Sequence, residues 1–138
     1  MSAENKAIVR RWFDEVWNQG RVEAIDELFA ADGVAHGLGE DLHGPGGFKP
    51  FQAAFRAAFP DLRIEIHRIV SEGDLVAYDW SASGTHHGHL MGVAPTGRAA
   101  QVGGMSIVRI RDGQIAEAWN VFDQLGLFEQ LGAVQRPV

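Results

Sequence analysis

Residues 62–87 read LRIEIHRIVSEGDLVAYDWSASGTHH, and the spacing of their apolar side chains decides the fold. Leu62, Ile64 and Ile66 alternate with Arg63, Glu65 and His67, the period of two that marks a strand. Glu72-Gly73-Asp74 turns the chain into a second run, Leu75 to His87. There Val76, Tyr78, Trp80, Ala82, Gly84 and His86 share one face, and Asp79, Ser81, Ser83 and Thr85 share the other. One apolar and one polar face is the pattern of an antiparallel sheet covered on one side only.

Working toward the C-terminus, a loop from Gly88 to Gly97 leads to a strand from Ala100 to Ile110. Arg111-Asp112-Gly113-Gln114 supplies a hairpin turn before a strand from Ile115 to Val121. Gln124 to Leu131 places Leu125, Phe128 and Leu131 on a short helix that Gly132 stops. Upstream of residue 62 the period is helical. Ile8, Val9, Trp12, Phe13, Val16 and Trp17 predict a first helix over 4–18, and Val22, Ile25, Leu28 and Phe29 a second that ends before Asp32-Gly33. Val34-Ala35-His36 is a short apolar stretch, and Gly37 to Gly47 reads as loop, with Gly44-Pro45-Gly46-Gly47 as a turn. Phe48, Phe51, Phe55 and Phe59 then recur at spacings that predict a third helix closed by Pro60. Three helices followed by a meander of strands is the α+β order, with helices packed on one face of a strongly curved antiparallel sheet. Such a cone, open at its mouth, offers an apolar pocket to a small molecule.

With 138 residues the chain is expected to form one domain over 1–138. Hydrophobic types at 46% and charged types at 22% are those of a folded globular domain. A net charge of −6 with scattered Lys and Arg argues against a nucleic-acid partner. The absence of cysteine excludes disulfides, a thiolate nucleophile and Cys-based metal sites. No signal-like start and no long apolar run is present, so no membrane partner and a cytoplasmic location are expected.

Glu117, Trp119, Val121 and Asp123 lie on one face of the last strand by parity. If that face points into the cone, Asp123 is a carboxylate in an apolar cavity, where burial raises its pKa and makes it a base suited to neutral pH. Its position before Gln124-Leu125-Gly126 suits a helix cap, the commoner use of Asp at such a boundary and the reading that the residues alone favour. His86 continues the face of Tyr78 and Trp80 at the mouth, and His36 stands beside the glycine-rich loop, facing either pocket or solvent. Trp12, Trp17, Trp80 and Trp119 read by default as core packing, with ligand contact as the alternative for each. His86, His87 and His89 have no carboxylate at ligand spacing, so no metal is expected. No phosphate loop, nucleophile elbow or zinc-peptidase pair appears.

Phe59-Pro60-Asp61-Leu62, Glu72-Gly73-Asp74, Gly84-Thr85-His86-His87-Gly88, Pro95-Thr96-Gly97-Arg98, Asp112-Gly113-Gln114-Ile115 and Glu117 to Asp123 together resemble the SnoaL-like polyketide cyclases. These belong to the nuclear transport factor 2-like superfamily. The resemblance implies a cone-shaped α+β barrel, a homodimer or homotetramer, no cofactor, and a hydrophobic carbonyl substrate such as a polyketide ester. It implies an intramolecular aldol condensation in which Asp123 is the general acid/base and His86 a second catalytic residue. His36, Trp119, Trp80, Tyr78, Trp12 and Glu117 would line the substrate site. The donor to the enolate oxygen would be His86, Asn120 or a water, and parity places Asn120 on the face opposite Asp123, which counts against it. The superfamily also hosts isomerases, dehydratases, epoxide hydrolases and non-catalytic binding domains. No Asp-Arg-Asp set for positioning an epoxide-opening water is recognisable in the sequence.

Overall fold

The first amphipathic run changes pitch partway along. In a computed structural model, which describes residues 2–134, helix α1 (Ser2–Arg11) passes into a π-helical segment, Trp12–Asn18. The Gln19 N–H reaches the carbonyl of Asp14, five residues back, at 2.9 Å. That wider winding aligns residues five apart, so Trp12 and Trp17 are both buried on the side facing the sheet. Helix α2 (Glu23–Leu28) is shorter than its apolar spacing suggests, because the chain is already extended at Phe29.

Strand β1 (Phe29–His36) was not legible as a strand, since Asp32-Gly33 interrupts it. It pairs in parallel with the last strand and antiparallel with the two-residue β2 (Leu42–His43). Gly44 to Gly47 does not form a separate turn but opens helix α3 (Gly44–Ala58). Gly44 takes the positive φ, 66°, that reverses the chain, and Pro45 follows with the fixed φ a first helical turn accepts.

Strands β3 (Arg63–Glu72), β4 (Leu75–Thr85), β5 (Ala99–Arg111) and β6 (Gln114–Phe122) form the expected meander, and α4 (Gln124–Gln130) closes the described chain. The sheet order is β2-β1-β6-β5-β4-β3, with every neighbouring pair antiparallel except β1 and β6. The sheet is therefore mixed and open-edged rather than a wholly antiparallel closed barrel. Register shifts between Ile66 and Arg68 and between Arg109 and Ile110 give it local bends. Trp80 stands opposite Gly104, where a Cβ would come within 2.3 Å of the indole, so the ring occupies the space a side chain there would need. The helices cover the inner face, and Val9, Val16, Ile25, Leu28 and Phe29 lose nearly all contact with solvent there. Among the described residues no helix is long and apolar enough to cross a membrane.

Candidate functional site

The packing leaves a pocket of about 120 Å³ between the helices and the inner face of the sheet, open at its mouth. The π-helical segment contributes Trp12, Phe13 and Trp17, and α3 contributes Phe48, Phe51 and Phe55. Their rings pack edge to face, with centroids 4.9 Å apart for Trp12 and Phe48 and 6.0 Å for Trp17 and Phe51. The sheet adds Tyr78, Trp80, Ala118, Asn120 and Phe122. Leu38, Phe51, Phe55 and Phe122 are only half-buried, which marks the mouth.

A connected set of uncharged polar groups stands in the wall. The Trp80 indole N–H donates to Ser106 Oγ at 3.1 Å, and the Ser106 hydroxyl donates to Asn120 Oδ1 at 2.7 Å. Asn120 Nδ2 donates in turn to the backbone carbonyl of His36 at 2.9 Å. An amide nitrogen carries two hydrogens, so among the described residues one N–H of Asn120, a pocket-lining side chain, has no partner. Tyr78 stands opposite Ser106 in register, and burial raises the phenol well above its ordinary pKa despite that contact. None of the described residues lining the pocket is charged.

Trp12, Tyr78 and Trp80 therefore lie where the sequence expected them, but the last strand is turned the other way. Ala118, Asn120 and Phe122 face inward, while Glu117, Trp119 and Val121 face outward, with Trp119 37% and Val121 73% exposed. Parity fixes which residues share a face but not which face is buried, and the face that the resemblance assigned to the substrate site is the outer one. The small Ala118 carried the better signal, since a buried alanine leaves room for facing aromatic rings; ahead of it a register shift puts Ile115 rather than Ala116 in the lining. Asn120, set aside by the same parity argument, is the polar side chain of β6 at the pocket.

Asp123 is exposed and caps α4, its Oδ1 accepting the Gly126 N–H at 2.9 Å, and it does not line the pocket. His86 is fully buried behind the wall, its ring 5.5 Å from that of the lining residue Phe59. Its Nδ1 accepts the Thr96 N–H at 3.2 Å and meets the Thr96 hydroxyl at 3.0 Å. His36 and Glu117 meet outside the pocket, with Nε2 and Oε2 at 2.7 Å, and Asp41 holds the other ring nitrogen at 3.0 Å. The hydrogen bond to Glu117, then that to Asp41, raises the His36 pKa. Trp119 stacks on the His36 ring at 5.9 Å and lies under the Arg109 guanidinium at 5.5 Å. Among the described residues no group of three or more His, Asp or Glu is arranged to hold a metal.

A family model described as SnoaL-like polyketide cyclase matches residues 7–131. The chain belongs to that family. It is 32% identical over 119 residues to the nogalonic acid methyl ester cyclase of Streptomyces nogalater, covering 84% of this chain and 89% of the relative. It is 29% identical over 129 residues to the aklanonic acid methyl ester cyclase DnrD of Streptomyces peucetius, covering 91% and 88%. The crystal structure of IdmH from Streptomyces antibioticus superposes with a TM-score of 0.80 at 33% identity, covering 93% of this chain and 98% of that one. The α+β architecture is thus that of the nuclear transport factor 2-like fold. In this SnoaL-like chain the pocket wall is aromatic and uncharged, and the carboxylates of the last strand region lie outside it.

Proposed function

We propose that this chain is a cofactor-independent enzyme that closes a ring in a hydrophobic polyketide ester by intramolecular aldol condensation. A proton leaves the carbon beside one carbonyl, the resulting enolate carbon bonds to a second carbonyl carbon, and the alkoxide formed takes up a proton. Substrate and product are isomers. The observation that carries the reading is the aromatic, charge-free pocket with one uncommitted amide N–H, which suits a flat conjugated ligand and a donor to its enol oxygen. The two curated relatives, both named as methyl ester cyclases, support the same substrate class.

Asp123 remains the acid/base candidate, acting from the rim. It adjoins Phe122 and caps the helix that carries Leu127, both lining residues, so it would engage a substrate C–H at the mouth after parting from Gly126. His86 backs Phe59 and steadies that wall. The test is to incubate the protein with aklanonic and nogalonic acid methyl esters and follow a product of unchanged mass and altered retention. Binding without conversion of either ester would favour the second reading, a small-molecule-binding domain, for which the uncharged lining also speaks.

The same proposal includes a homodimer or homotetramer. Met105 faces Val121 and Ile107 faces Trp119 across β5 and β6, so four exposed apolar side chains adjoin on the outer sheet surface. Arg109 and Glu117 beside them give the patch both signs of charge, which a two-fold self-complementary contact can pair across the axis. Native mass spectrometry of Val121→Glu should record monomer where the wild type records an oligomer.

A further inference from the structure

The segment Gly37–Asp41 crosses from β1 to β2 and carries Leu38 into the pocket lining at the mouth. It is held at both ends. Gly37, at φ 86°, lies so near β6 that a Cβ would come within 1.9 Å of the Asn120 carbonyl oxygen. At the far end Asp41 Oδ1 lies 3.0 Å from His36 Nδ1, while Glu117 Oε2 lies 2.7 Å from His36 Nε2. A neutral imidazole has one N–H and one lone pair, so it can donate to one carboxylate only; with carboxylates at both nitrogens, both contacts need the imidazolium.

From this geometry we propose that His36 is a positioning residue that latches the pocket: protonated, it ties the Leu38 segment to β6 and slows ligand exchange, and neutral, it releases Asp41 and opens the mouth. The inference rests on the pocket being the binding site. The Asp41 contact is the one to go, because Glu117 is also held by Arg109 Nη1 at 3.5 Å and is the less exposed partner. Arg109 is itself paired with Asp74 at 3.3 Å, and the Trp119 ring stacks on His36. The other titratable groups nearby are Glu40 on the segment and His43 on β2, whose backbone pairs with Val34. The latch also reaches inward, since the His36 backbone carbonyl accepts the Asn120 amide that stands in the pocket wall.

The test uses the full chain and the neutral fluorophore N-phenyl-1-naphthylamine, with stopped-flow dissociation rates measured from about pH 6 to about pH 9, across the histidine range. The wild-type rate should rise about threefold to fivefold, the size that one part-exposed ion pair supplies. His36→Gln should be fast and flat with pH, and Asp41→Asn should lose most of the step. Proton NMR of the His36 ring should give a midpoint matching that of the rate. A probe that binds at no pH removes the pocket reading and the latch with it. A probe that binds but leaves at a pH-independent rate, or a step that persists in both variants, removes the latch alone.

Discussion

The two faces of the sheet have opposite chemistry on the same strands. Inside, β6 presents Ala118, Asn120 and Phe122 to an aromatic, uncharged pocket; outside, one residue out of step, it presents Glu117, Trp119 and Val121 to solvent beside Arg109 and His36. The inner face can bind and orient a neutral molecule by shape and a few hydrogen bonds. The outer face holds Glu117, Arg109 and His36, which reach the pocket through the backbone and the Gly37–Asp41 segment, whereas Asp123 at the strand's end is the one carboxylate proposed to meet the ligand, from the rim. Substitutions on adjoining strands test this division most sharply.

Tyr78→Ala on the inner face should cost about 3–5 kcal/mol in urea denaturation, the range for losing a buried aromatic and leaving a cavity. Tyr78 also loses its edge contact with Phe13, whose ring centroid is 5.3 Å away. Ile107→Ala, on the opposite face of the adjoining strand and 44% exposed, should cost no more than about 1 kcal/mol when both proteins are in the same oligomeric state. Equal losses would mean that the outer face is as deeply buried as the inner one.

Asn120→Ala comes next. It strands the Ser106 hydroxyl and the His36 carbonyl, and loss of a donor to the enol oxygen should lower kcat/KM for ring closure about tenfold to a hundredfold. Asp123→Asn separates the two readings of that residue, because Asn caps a helix about as well as Asp does. Unchanged stability with abolished turnover marks a rim acid/base, whereas unchanged turnover leaves only the cap. Asp123→Ala should remove about 1 kcal/mol of stability in either case, as the Gly126 N–H loses its acceptor.

Much of this division was legible in the sequence, and the parts that were not have physical causes. The alternation of Val76, Tyr78, Trp80, Ala82 and Gly84 named both the strand and its inner face, because one side of it is plainly apolar. On β6 both faces carry apolar residues, so periodicity gave the sets without their direction. Strand β1 escaped because Asp32-Gly33 resembles a helix stop and its partner, β6, lies far away in the chain. The His36 cluster was out of reach for a different reason: Asp41, His36 and Glu117 come from a loop and two strands that only the parallel pairing brings together.

The smallest effect is the most specific to the outer face. His36 has its pKa raised in the folded protein by the hydrogen bonds it donates to Glu117 and Asp41, so the folded state binds its proton more tightly than the unfolded chain does. A group raised in this way stabilises fully below its ordinary value of about 6.5 and loses that contribution as pH climbs through the folded value. Wild-type stability should therefore fall from about pH 6.5 upward, while His36→Gln, which has no proton to lose there, should not share the decline. Denaturation midpoints across that interval check it. Asp61 and Asp79 bend the curve in the opposite direction at the acid end: Thr85 holds the first carboxylate below its usual range and Arg68 the second, so their contributions vanish as pH falls through the depressed values. The alkaline decline is thus attributable to the imidazole only if it disappears in His36→Gln while the acid limb stays where it was.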